Sequence, residues 1–153
     1  MNHVNYSLVS KNIKYGISKE VQWRKLLSKK YPSIIDNNKE NKFSSMDSIS
    51  NDNGIIIEHE HKSRKRLKYN QYRGLMLNAC KIHKGIKKIQ SGVRQIFYWT
   101  LEDDNKDMYY WELTDLEKQQ DEIVFYRNGN FITNEGYRDV VDIKWEYLKK
   151  YED

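Results

Sequence analysis

The stretch Asp47-Ser48-Ile49-Ser50-Asn51-Asp52-Asn53-Gly54-Ile55-Ile56-Ile57-Glu58-His59-Glu60-His61-Lys62 decides the fold. Asn53-Gly54 is a turn dipeptide, because both residue types accept the positive φ that a tight hairpin demands. Three β-branched isoleucines follow and predict a strand from Ile55 to Lys62. Residues 43–50 are predicted as its partner. With Asn53 and Gly54 at the central turn positions, Asp52 pairs with Ile55 and Asp47 falls opposite Glu60. A loop two residues longer sets Asp47 opposite Glu58 instead. Side chains alternate along a strand, so in either register Asp47 shares one sheet face with Glu58, Glu60 and Lys62. His59 and His61 point the other way.

Carboxylates gathered on one face repel one another unless a cation sits among them. A hard divalent ion such as Mg²⁺ takes oxygen ligands of this kind and bridges them to a phosphate. Lys62, two residues beyond Glu60, would lie beside that ion and could hold a scissile phosphate or an attacking water. A Lewis acid, a water of lowered pKa and a positive charge are what phosphodiester hydrolysis requires. The competing reading of Glu58, Glu60 and Lys62 is a solvent-facing stripe with cross-strand ion pairs. His59-x-His61 has a spacing found in zinc sites, but no cysteine or third histidine is close in sequence. The ordinary reading packs both histidines against a helix or a phosphate.

Helical patterns flank the hairpin. Ser18 reads as an N-cap for a helix over Lys19–Lys30, with Val21, Trp23, Leu26 and Leu27 as its apolar side and Pro32 just beyond its end. A second helix is predicted over Lys65–Lys84. Tyr72, Met76, Cys80 and His83 form its stripe, flanked by Leu75, Ala79 and Ile82, and Gly85 closes it as the C′ residue. Cys80 then reads as a buried thiol. Beyond it the pattern turns to strands: Gln95–Leu101, Met108–Leu113, and a hairpin of Glu122–Tyr126 and Phe131–Thr133 around Arg127-Asn128-Gly129-Asn130. Tyr137–Tyr151 suits a strand or a helix by period, and its length favours a terminal helix. The class is α/β or α+β in a single domain over residues 1–153, with residues 1–16 as an N-terminal arm.

This arrangement resembles the PD-(D/E)xK nuclease superfamily, whose restriction-endonuclease-like core is a helix, a β-hairpin, a second helix and a further strand. The resemblance covers roughly residues 18–101. Its first acidic residue falls on Asp47, and its (D/E)xK triplet on Glu60-His61-Lys62, after the isoleucine run. The same acid-x-Lys spacing recurs at Glu40, Asp104 and Asp142, but only the copy at Glu60 follows a strand, a turn and an upstream aspartate. The resemblance implies a Mg²⁺- or Mn²⁺-dependent endonuclease or exonuclease, with Asp47 and Glu60 as metal ligands and Lys62 as catalytic lysine. Glu20, on the first helix, matches the glutamate that many members add. A homo-oligomer follows by the same analogy, since a double-strand cut by a chain of this size takes two sites.

The bulk of the chain points to the same partner. Its 153 residues suit one core, and 12 Tyr with 4 Trp supply apolar area that disordered chains lack. Residues 1–101 hold 20 Lys/Arg against 7 Asp/Glu, whereas residues 102–153 hold 7 against 15. From His61 to Leu101 there is no acidic residue and there are 11 basic ones, a field that attracts polyanions. Arg64, Lys65, Arg66, Lys68, Tyr69 and Arg73 are the candidate contacts to DNA or RNA, the tyrosine by stacking on a base. No apolar run approaches the length of a membrane span, and no secretory signal is recognisable. A lone cysteine fits a reducing compartment, so an intracellular location, cytoplasmic or nuclear, is expected, with no membrane partner. The alternatives to a nuclease are a non-catalytic nucleic-acid-binding protein, such as a packaging factor, and an interaction protein whose basic and acidic parts meet different partners.

Overall fold

The computed structural model describes residues 19–37, 46–113, 124–133 and 136–152, with backbone alone for 124–133 and 136–139. The expected arm at 1–16, Ser18 and residues 43–45 of the expected first strand lie outside the described residues. Helix α1 covers residues 19–27. The strands are β1 (Ile35–Asp36), β2 (Ser48–Asp52), β3 (Ile55–Arg64), β4 (Gly74–Asn78), β5 (Arg94–Leu101), β6 (Asp107–Leu113), β7 (Val124–Thr133), β8 (Gly136–Lys144) and β9 (Lys149–Lys150). Helix α2 is Ala79–Gln90. The molecule is therefore mixed α and β, with a core that is mostly sheet.

The hairpin forms in the shorter-loop register. Asn53 and Gly54 adopt φ of 51° and 86°, so Asp52 pairs with Ile55 and Ser48 with His59. A six-stranded sheet runs in the order β1-β2-β3-β5-β6-β9. Within it, β3 and β5 are parallel, and Glu60 lies beside Phe97. Parallel neighbours need a crossover, and β4 with α2 supplies it. A second sheet has the order β4-β8-β7.

Each face of the large sheet is covered, so β3 is buried on both sides and loses the polar face of an open antiparallel sheet. Ile57, Ile96 and Tyr98 pack under α1 with Trp23, Leu27, Tyr31 and Ile34. On the opposite face, Phe97, Trp99, Leu101, Trp111 and Leu113 pack with Ile82 of α2 and with Leu75, Leu77, Val141 and Ile143 of the small sheet. The apolar side of α1 is thus Trp23 and Leu27 with Leu26 partly buried beside them, while Val21 is 56% exposed, contrary to the helical reading above.

Four further expectations need correction. Residues 65–84 are not one helix: 65–73 form a connection, 74–78 form β4, and the helix starts at Ala79. The reason is non-local. Leu75 and Leu77 alternate into the core opposite Ile143 and Val141, a pairing that local periodicity does not reveal. Gly74 permits it, since a Cβ there would sit 2.1 Å from the carbonyl oxygen of Ile143. Gly85 lies mid-helix, where a Cβ would meet Gln95 and Leu113, so it permits close packing and ends nothing. Arg127-Asn128-Gly129-Asn130 is no hairpin turn. It lies within β7, where the register against β8 shifts between Arg127 and Ile132. The terminal segment holds β8, one 3₁₀ turn, Trp145–Tyr147, and the short β9, because Val140, Val141 and Ile143 complete the core as strand residues.

Candidate active site

The hairpin brings the sequence-selected acids together. Asp47 stands one residue before β2 and prolongs its pairing through side chains. Its amide N–H donates to Glu60 Oε2 at 3.2 Å, and the amide N–H of His61 donates to Asp47 Oδ2 at 3.1 Å. The carbonyl of Asp47 accepts the amide N–H of Asn37 at 3.0 Å, which fixes it from the β1 side. Along β3 the exposures of Glu58, His59, Glu60 and His61 are 5%, 0%, 2% and 7%, so the solvent-facing stripe is excluded.

A buried carboxylate needs partners. Glu58 accepts from Gln95 Nε2 at 3.0 Å. Glu60 Oε1 receives two ammonium groups, Lys62 at 3.0 Å and Lys81 at 3.2 Å. Lys81 was not selected from the sequence. With a helix expected over Lys65–Lys84, it falls in the last turn; with the observed start at Ala79, it stands in the first turn of α2 and reaches Glu60. Asn78, a residue type favoured at helix entries, was the local signal available for that boundary, although its side chain makes no cap hydrogen bond here.

The electrostatics of Asp47 are unusual for a surface acid. Burial pushes its pKa up to about 7, aided by the charges of Glu60 and Glu20, while the His61 amide and Lys62 oppose the shift. Glu20 on α1 is also raised, chiefly by burial and further by Glu60 and Asp36, with Arg24 opposing. Glu20, Asp47 and Glu60 therefore sense one another across the α1–hairpin junction. Arg24 braces that junction: its Nε donates to Ser48 Oγ at 2.9 Å and its guanidinium lies 3.8 Å from Asp36.

On the α1 face, the histidines are structural in their contacts. His59 bonds Ser50 Oγ at 2.8 Å and Tyr98 Oη at 2.9 Å; His61 bonds Thr100 Oγ1 at 2.7 Å and stacks on Trp23. Burial lowers both to about 3. His83 is exposed on α2, and Cys80 is half-buried, less enclosed than its expected stripe position implied.

The candidate nucleic-acid contacts lie on the end of β3 and on the 65–73 connection. Arg64 is half-buried, whereas Lys65, Arg66, Lys68 and Arg73 are exposed. Tyr69 stacks on Tyr109 and meets the edge of Trp145, so one face of its ring is engaged within the protein. Tyr72 is more open, at 61% exposed.

Asp47 and Glu60 are the oxygen donors that Mg²⁺ or Mn²⁺ takes. Among the described residues no group of three or more His, Cys, Asp or Glu side chains is placed to hold a metal ion. A cation held by this pair would complete its shell with water, as Mg²⁺ commonly does. Among the described residues no helix is long and apolar enough to cross a membrane. No protein-family model matches the chain, and neither the curated proteins nor the solved structures compared with it contain a match.

Proposed function

We propose that this chain is a metal-dependent nuclease that hydrolyses phosphodiester bonds in DNA or RNA. One observation carries the reading: the hairpin holds Asp47 against Glu60, the Asp47 amide donating to the Glu60 carboxylate and the His61 amide to the Asp47 carboxylate, with Asp47 raised to about 7 by burial and by its acidic neighbours. Selection for stability alone would not gather acids this way, and perturbed acids cluster at functional sites. The order of helix, antiparallel strands, helix and a strand parallel to β3 is consistent with the restriction-endonuclease-like core named above.

In this reading Asp47 and Glu60 would hold Mg²⁺ or Mn²⁺, which would supply Lewis-acid chemistry for phosphodiester hydrolysis. Lys62 lies at the same oxygen and neutralises charge developing on the phosphate. Glu20 faces the pair from α1 and orients water. The exposed cations of residues 65–73 hold the flanking backbone.

A second reading has its own observation. Glu60 Oε1 already carries two ammonium partners, which is a satisfied ion-pair network that needs no metal. It fits a non-catalytic nucleic-acid-binding protein. The two separate in one assay. Labelled single- and double-stranded DNA and RNA are incubated with the protein in Mg²⁺, Mn²⁺ or EDTA, beside Glu60→Ala and Lys62→Ala. Cleavage that requires metal and disappears in both variants supports the nuclease. Binding without cleavage in every metal, unchanged by either substitution, refutes it.

A further inference from the structure

We infer that Lys81 is a second functional lysine of the site: it occupies Glu60 in the metal-free protein and is transferred to the substrate phosphate when a divalent cation takes its place. The inference rests on the nuclease reading and deepens it. Its ground is the crowding at one atom. Lys62 Nζ and Lys81 Nζ approach the same Glu60 oxygen at 3.0 Å and 3.2 Å from two different elements, β3 and α2. Those two ammonium groups hold one of the two oxygens through which Glu60 could bind a cation, while the other, Oε2, accepts the Asp47 amide. Glu60 is almost fully enclosed, so the carboxylate has little solvent to share among three cations.

A dication on Glu60 would repel both lysines at close range. Lys62 is tethered to β3 two residues from Glu60 and stays beside the site. Lys81 hangs from α2 on a four-carbon stem with its side chain 19% exposed, so it has both a path out and a reach back over the pocket. A phosphodiester arriving on the metal brings the negative charge that Lys81 has just lost. The lysine is thus a stand-in for the metal before binding and a phosphate clamp afterwards, and metal entry and substrate grip become one coupled event.

The test compares the full-length protein with Lys81→Met, Lys81→Arg and Lys84→Met. Lys84 is exposed on the same helix, so its variant removes an equal charge without touching Glu60. Mn²⁺ affinity is measured by calorimetry without nucleic acid, and affinity for a labelled oligonucleotide is measured in Ca²⁺. Lys81→Met is expected to bind Mn²⁺ about five- to ten-fold more tightly, the scale of removing one partly exposed competing charge. It is expected to bind oligonucleotide more weakly than Lys84→Met does, and Lys81→Arg should restore that binding. Unchanged or weaker Mn²⁺ binding by Lys81→Met, with the parent protein binding Mn²⁺, overturns the inference and leaves the nuclease reading standing. No Mn²⁺ binding by any of the four overturns both. A folded Lys81→Met is confirmed by its urea midpoint; if it is unfolded, Lys81→Gln carries the same comparison.

Discussion

Replacing Asp47 by asparagine should stabilise the metal-free protein while abolishing the metal-dependent cleavage proposed for it. The folded environment raises the Asp47 carboxyl from 3.8 to about 7. At ~1.4 kcal/mol per pH unit, holding it ionised in the folded state costs at most about 4 kcal/mol. Asp47 keeps some contact with solvent, and screening reduces the figure to about 1–2 kcal/mol. The amide oxygen of asparagine still accepts the His61 amide, so the hairpin lock survives the exchange. The sign follows from a raised folded pKa: the aspartate is most favourable to folding below its unfolded pKa, and that contribution is lost as pH rises through about 7. The advantage of D47N is therefore full at about pH 8 and absent by about pH 4. Urea unfolding in EDTA at both pH values measures it. Added Mn²⁺ should reverse the order, since only the parent gains from binding. Equal or lower stability of the variant at about pH 8, or an advantage that persists unchanged at about pH 4, would refute the account of a strained carboxylate pair.

Four other outcomes are expected. His59 and His61, lowered from 6.5 to about 3, oppose folding as pH falls below 6.5, each by ~1.4 kcal/mol per unit, while Asp47 and Glu20 work in the opposite direction. Metal-free stability should accordingly fall by about 1 kcal/mol per unit between about pH 6.5 and about pH 4, and urea midpoints that rise over this range would contradict it. Gly74→Ala drives a Cβ into the Ile143 carbonyl and should cost roughly 2–4 kcal/mol by separating β4 from β8, read by thermal unfolding. Gly54→Ala meets no atom within 4 Å and should cost about 1 kcal/mol, for its positive φ alone. Reversing Lys65, Arg66 and Lys68 to glutamate should weaken nucleic-acid binding and shallow its salt dependence by about 0.9 per lost phosphate contact, measured by titration at several salt concentrations.

The site was legible where its cause was local. Asn53-Gly54 points to a short turn, and the period of two then carries Asp47 to the face of Glu58 and Glu60; the choice between those two partners comes from the observed register. The burial of β3 on both faces was not legible, because it depends on α1 and α2 closing over a strand whose own sequence alternates charge and imidazole. The boundary at Ala79 was missed for a related reason. The apolar positions from Tyr72 to Ile82 satisfy a helical period, and only the pairing of Leu75 and Leu77 with a strand some 65 residues later makes 74–78 extended. Lys81 was lost with that boundary. In β7, the Asn-Gly dipeptide that signals a turn elsewhere marks a register shift, since β8 returns after Thr133 and not after Asn130.

The six-stranded sheet ends in β1 on one side and β9 on the other, each two residues long. A visiting strand finds few open amides at either margin, and at β9 it finds the exposed lysines 149 and 150. The large sheet is thereby protected from growing by addition of a neighbour's strand. Ten-residue β7, the outer strand of the small sheet, is the longest margin among the described residues. Among the described residues it is therefore the margin most open to backbone pairing with a further strand.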